Sequence, residues 1–252
     1  MKVLKIKFIL LALTLAVIPF LSSCNDDDGY SLNSFTIRMA TVKVISGNSY
    51  YLQIDNGKTL WPAATLHPGY RPKDGQRVIA DFTLLSSNFG EYDYAIRVNR
   101  LRNILTKPTE TLTSENENIF GNNPVSVYDM WVGGNHLNVQ FRFSLPSSQA
   151  HRISLVENTT SGSPSIDSEG YKLLEYRYNN QNDTTNLWSW GYVSFDLGEN
   201  GPWASNNLKG IKVKINSRIN GERTLVFNYA GRDSTEKTFG QFPDSLSEAN
   251  LN

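Results

Sequence analysis

From residue 34 onward apolar side chains recur at every second position, the period of a strand whose successive side chains point to opposite faces. Phe35, Ile37 and Met39 share one parity and Val42 and Val44 take the other. A strand over residues 34–45 is therefore expected to change its buried face near Ala40 and Thr41, through a bulge or a sharp coil. The first strand of a small closed barrel needs such a bend to serve two sheets. "YYLQIDNGKTL" follows, with Asn56-Gly57 as a hairpin turn. Two more strands fall at residues 76–85, opened by Asp74-Gly75, and at residues 91–101, with "HPGYRP" as a proline-rich loop before them. Together these predict a barrel of roughly five strands over residues 34–105.

Residues 106–123 lose the alternation and are polar, which reads as a linker. A second strand set fills residues 124–232: "VSVYDMWV", "LNVQFRFSL", "ISLV", "YKLLEYRY", "YVSFDL", "IKVKIN" and "TLVFNY". About seven short strands separated by turn-rich loops predict a sandwich, and residues 233–252 read as a polar C-terminal tail. The expected fold class is all-β, a small OB-like barrel followed by an immunoglobulin-like β-sandwich.

The pattern before residue 34 is different. Lys2, Lys5 and Lys7 precede an apolar run at residues 8–20, too short for the roughly 20 residues that cross a membrane as helix, so residues 1–23 read as an export signal. Leu21-Ser22-Ser23-Cys24 is similar to the bacterial lipobox. That likeness implies a diacylglycerol on the Cys24 sulfur and cleavage just before it, and two or three acyl chains hold a protein on a membrane. Residues 24–33 then form an acidic tether. Asn25, Asp26, Asp27 and Asp28 resemble the export signal that sends lipoproteins of Bacteroidota to the outer face of the outer membrane. The expected location is thus the cell surface, with a periplasm-facing lipoprotein as the alternative. The contiguous acids lack the alternating spacing of a calcium loop.

Cys24 is the only cysteine, so no intramolecular disulfide and no multi-thiolate zinc site can form. Loss of the three signal lysines takes 24 basic residues to 24 − 3 = 21 against 24 acidic ones, which argues against nucleic acid as a partner. His67, His136 and His151 sit on separate segments without ligand spacing, and no metal or cofactor is expected. Ser234 and Lys237 in "STEK", followed by "KTFG", faintly match serine β-lactam enzymes, whose serine needs a helix over a large sheet. With no acid, base or nucleophile set, the chain is not expected to be an enzyme.

Aromatic residues make up 12% of the chain. Trp188, Trp190 and Tyr192 share one parity, with Val193 and Phe195 opposite beyond a phase change at Gly191. Exposed, this group and Trp203 on a loop would form a contact for a protein or for sugar rings; buried, they would be sandwich core, as expected for Trp131. Asp183-Thr184-Thr185, Asp233-Ser234-Thr235 and Asp244-Ser245-Leu246 resemble an O-glycosylation motif of Bacteroidota, which marks Thr184, Ser234 and Ser245.

Four features together resemble the NigD-like lipoproteins of Bacteroidota: the acidic segment after Cys24, "LQIDNGKTLWP", "LTKP", and "PVSVYDMWVGGNHLNVQFRF". The resemblance covers nearly all of the mature chain. It implies an N-terminal OB-type barrel and a C-terminal β-sandwich. The family is named after a bacteriocin operon in which an immunity role was suggested, and no catalytic residues are established for it. The expectation is a non-catalytic envelope lipoprotein, held to the membrane by its lipid, that binds an unidentified protein partner as an immunity-type protein or an assembly factor. The alternative is a surface glycan-binding lipoprotein beside a nutrient-uptake system.

Overall fold

The computed structural model describes residues 34–160, 162, 164–198, 208–228, 237–243 and 251–252. Cys24, the Asn25 to Asp28 segment, Trp203, Ser234 and Ser245 lie outside the described residues. Five strands close the barrel: β1 (Thr36–Ser46), β2 (Ser49–Ile54), β3 (Thr59–Thr65), β4 (Arg77–Phe89) and β5 (Tyr92–Asn103), in the order β1-β2-β3-β5-β4. The β2–β3 turn places Gly57 at φ 88°, a conformation glycine adopts without steric cost. Ala40, Val42, Leu52, Leu60, Val78, Phe82, Ile96 and Val98 fill the interior.

The buried side of β1 changes from Ile37 and Met39 to Ala40 and Val42, but without a bulge at Ala40 and Thr41. Its pairing to β4 runs without interruption from Thr36 to Thr41, and its pairing to β2 begins at Ala40, with the irregularity at Val44 to Ser46. Each side of β1 is buried over a different part of its length, with Thr36 and Arg38 only half-buried. Ala40 and Val42 point into the barrel, while Ile37 and Met39 belong to a second cluster on its outside. Alternation marks a single buried face, so a strand covered on one side and then on the other reads as a phase change.

The sandwich consists of a four-stranded and a five-stranded sheet. The first has the order β6-β12-β9-β8, from β6 (Leu105–Pro108), β12 (Trp188–Asp196), β9 (His136–Ser144) and β8 (Ser126–Gly133). The second has the order β14-β13-β11-β10-β7, from β14 (Gly221–Asn228), β13 (Gly210–Ser217), β11 (Tyr171–Asn179), β10 (Arg152–Asn158) and β7 (Glu110–Leu112). Leu137, Val139, Phe141, Phe143, Leu155, Tyr176, Phe195 and Val213 pack between them.

The expected linker is therefore part of the sandwich. β6 runs parallel to β12 and β7 parallel to β10, so the chain crosses from one sheet to the other around Thr109. The short helix α1 (Glu117–Phe120) then buries Phe120 with Leu112 and Val156. Strands of four and three residues are too short to show alternation, which is why they read as linker. The polar tail is likewise corrected: Phe239 and Phe242 are buried against the barrel, and Leu251 enters the sandwich core.

Barrel and sandwich meet through a mixed interface. Ile37, Met39, Ile79 and Ile104 from the barrel side pack with Trp131 and Tyr192 from the outer face of the four-stranded sheet, and Phe239 and Phe242 complete the cluster. At its edge lies the fully buried Arg77, whose guanidinium binds Asp55 in a two-pronged pair at 2.7 and 3.1 Å. It also donates to Thr41 Oγ1 at 3.2 Å and to Asn138 Oδ1 of the sandwich at 3.2 Å. Ser194 Oγ donates to the same Asn138 oxygen at 2.7 Å.

Removing one member of a buried ion pair leaves the other charge desolvated, at a cost of roughly 3–5 kcal/mol. Arg77→Met is thus expected to destabilise the protein by about that amount in chemical denaturation, while Arg77→Met with Asp55→Leu recovers most of the loss. A double variant no more stable than the single one would contradict this.

Candidate functional site

The four-stranded sheet positions the predicted aromatics. β12 keeps strict alternation from Trp188, opposite Ser144, to Asp196, opposite His136. There is no phase change at Gly191. Trp188, Trp190, Tyr192 and Ser194 share the outer face, and Val193 and Phe195 enter the core. Gly191 lies on the core side because the Phe141 ring occupies the space a side chain would take, with Cζ 2.8 Å from an ideal Cβ.

Along the outer face exposure changes in one step. Ser194 is fully buried and Tyr192 is 7% exposed, under Phe239 with ring centroids 5.9 Å apart. Burial pushes the Tyr192 hydroxyl up to about 12, so it stays protonated. Tyr192 therefore belongs to the barrel–sandwich interface and not to a contact surface. Trp190 and Trp188 are 42% and 36% exposed. Tyr128 from β8, 71% exposed, stands edge-on to Trp190 at 5.4 Å and 87°. Arg142 and Arg218 hold their guanidiniums 5.2 and 4.9 Å from the Trp188 ring centre. The result is an aromatic strip of Tyr128, Trp190 and Trp188 beside two arginines.

Tyr128 escaped the sequence reading because β8 is irregular between Val127 and Asp129, which scrambles its parity. Arg218 follows a different strand, and nothing local to it signals the contact. Trp131, expected in the sandwich core, is buried instead on the opposite side of β8, in the interface with the barrel. The Lys237 ammonium lies 4.1 Å from the centre of its ring and pairs with Asp129.

The other marked residues are apart from the strip. Asp183 is a loop staple, accepting hydrogen bonds from the Ser147 backbone and hydroxyl and from the Thr185 backbone. These donors, the Ser147 and Thr185 backbones first, hold its carboxyl down to about 2. Its neighbour Thr184 is exposed. His151 is buried, with Nδ1 2.7 Å from Tyr178 Oη and Nε2 3.5 Å from Asp183. His67 lies near Tyr70. Among the described residues no group of three His, Cys, Asp or Glu is arranged to hold a metal ion.

The third histidine, His136, opens β9 at the interface. The turn before it runs so close to Asp55 that a Cβ on Gly133 would fall 2.2 Å from Oδ2. "LQIDNGKTLWP" and "VGGNHLN" thus meet in space. Burial, then the Arg77 and Lys43 charges, keep the His136 imidazole well below the ordinary value. A depressed histidine binds fewer protons folded than unfolded, so stability is intact above the unfolded value and declines as pH falls through it, about 6.5. Burial also lowers His151, partly offset by Asp183. The melting temperature is expected to drop from about pH 7.5 to about pH 5, and His136→Gln to flatten part of that dependence. An unchanged profile in the variant would show that other groups carry it.

A closed five-stranded barrel joined to a two-sheet sandwich makes this a two-domain all-β protein. Residues 39–104 match the NigD-like N-terminal OB domain and residues 108–229 the NigD-like C-terminal beta sandwich domain. The chain belongs to the NigD-like family. It is similar to a solved protein of unknown function, DUF1344, from Bacteroides vulgatus ATCC 8482, with 34% identity and a TM-score of 0.72 over 87% of this chain and 100% of that one. A protein from Parabacteroides distasonis ATCC 8503, described as toxin-related, shares 33% identity with a TM-score of 0.66 over 78% and 93%. A NigD-like immunity protein from Bacteroides caccae ATCC 43185 shares the fold, at 17% identity and a TM-score of 0.55 over 82% and 99%. No curated protein matches.

Proposed function

We propose that the chain is a non-catalytic lipoprotein, anchored at the outer membrane through Cys24 and directed to the cell surface by Asn25 to Asp28, that binds a protein partner through Tyr128, Trp190 and Trp188. The strip carries this reading. Rigid aromatics give large contact area for little lost side-chain entropy, and tryptophan, tyrosine and arginine dominate protein hot spots. The strip sits on a sheet whose other end is locked against the barrel, so little order has to be gained on binding. The resemblance to a bacteriocin-linked family and the toxin-related description of a 33% identical protein support a toxin or bacteriocin system as the setting. A glycan ligand is the second reading, favoured by the exposed rings. The guanidiniums of Arg142 and Arg218 over Trp188 weigh against it, since they occupy ring surface a sugar would stack on.

Crosslinking and pull-down from intact cells tests this. Trp190→Ala and Tyr128→Ala are expected to lose most capture of a recurring protein, with stability within about 0.5 kcal/mol of the wild type. Tyr192→Ala is expected to lose about 3 kcal/mol of stability, as for a buried aromatic. Cys24→Ala is expected to abolish lipid labelling and membrane association. Recovery of a polysaccharide in place of a protein would move the assignment to the glycan reading, and undiminished capture by the Trp190 and Tyr128 variants would remove the strip from it.

A further inference from the structure

A cleft of about 230 Å³ opens where the barrel meets the sandwich, and it uses none of the residues of the aromatic strip. Thr41 and Lys43 of β1, Gln53 to Gly57 around the β2–β3 turn, and Gly134 to His136 from the β8–β9 turn line it. It is smaller than the roughly 300–1,000 Å³ of drug-sized sites, which sets the scale of an occupant at that of a single sugar ring or an amino acid.

Its chemistry is unlike the rest of the interface. The Asp55 carboxylate in its wall is matched by Arg77 in the two-pronged pair, so the pair adds no net charge. Lys43 adds a positive one and has no ion pair among the described residues. His136, 7% exposed, keeps its Nδ1 buried and without a hydrogen-bond partner among the described residues. Buried polar atoms are nearly always paired, and each exception needs an explanation. Burial, then the Arg77 and Lys43 charges, hold the imidazole well below its ordinary value, so the excess charge on the cleft is the lysine's.

We propose that this cleft binds a small hydroxylated carboxylate, of the size and chemistry of a sugar acid, with its carboxylate on Lys43 and a hydroxyl on His136. The amides of Gln53 and Asn135 each offer a donor and an acceptor, which suits neighbouring hydroxyl groups. A bare inorganic anion offers acceptors alone and would leave the acceptor halves of those amides unmatched. A neutral sugar would leave Lys43 without a counter-charge.

Titration calorimetry on the full mature chain in detergent, with glucuronate, glucose and sulfate as probes, tests the assignment. Glucuronate is expected to bind and to raise the melting temperature, with glucose and sulfate each weaker by about tenfold or more. Lys43→Met, a partly exposed position that folding tolerates, is expected to weaken glucuronate by about ten- to a hundredfold, and Trp190→Ala to leave it unchanged. Absence of glucuronate binding at millimolar concentration, equal affinity for glucose or sulfate, or full affinity in Lys43→Met would each overturn the proposal. None of these outcomes bears on capture by the aromatic strip.

Discussion

The pairing of Arg77 with Asp55 is the constraint around which the two domains are arranged. Both groups come from the barrel, yet neither could be buried there alone, because a desolvated guanidinium needs more acceptors than one carboxylate supplies. The additional acceptors are Thr41 within the barrel and Asn138 from the sandwich. Asn138 is in turn fixed by Ser194 on the neighbouring strand. With both terminal nitrogens of Arg77 bonded in this way, and its Nε left without a partner among the described residues, the apolar surfaces of Ile37, Met39, Ile79, Trp131 and Tyr192 pack against each other. The glycine at 133 follows from the same requirement, since any side chain there would collide with the carboxylate. The apolar cluster and this polar edge together make up the contact between the domains.

Much of this was legible in the sequence, and the misses have one cause. Two-residue alternation located the barrel and sandwich strands correctly wherever one face of a strand is buried. It suggested a bulge in β1 where the pairing is continuous, and it failed along Trp188 to Phe195, where a glycine on the core side and a tyrosine under the barrel disguised an unbroken strand. It also failed at β6 and β7, which are too short to show any period, and at Phe239, Phe242 and Leu251, isolated apolar residues in polar surroundings. Each case involves a contact between distant segments, which local pattern does not encode. Trp188 and Trp190 were placed on one parity, with their exposure left open, and the structure leaves both partly exposed. Their partners Tyr128, Arg142 and Arg218 were not legible, because three separate segments bring them together.

The division of the outer face of β12 ties fold to function. Tyr192 and Ser194 are consumed in joining the domains, and Trp190 and Trp188, one and two steps further along the same face, remain accessible. The rigidity that the interface imposes on one end of the sheet is inherited by the other, because β9 and β12 are paired along their full length. On the proposed reading, a partner docking on the strip would meet strands that are already paired along their full length.

The crossing of residues 105–112 between the two sheets shapes how the chain reaches that state. β6 and β7 emerge directly after the barrel, yet each pairs in parallel with a strand made much later: β12 for the first and β10 for the second. Barrel strands find most of their partners close by in sequence, whereas these two must wait as unpaired edges until most of the sandwich exists. Long-range parallel pairing is slow to form, and waiting edges attract other chains. Closure of the sandwich therefore depends on pairings between segments far apart in sequence, and the stage at which β6 and β7 are still unpaired is the one most open to association with other chains.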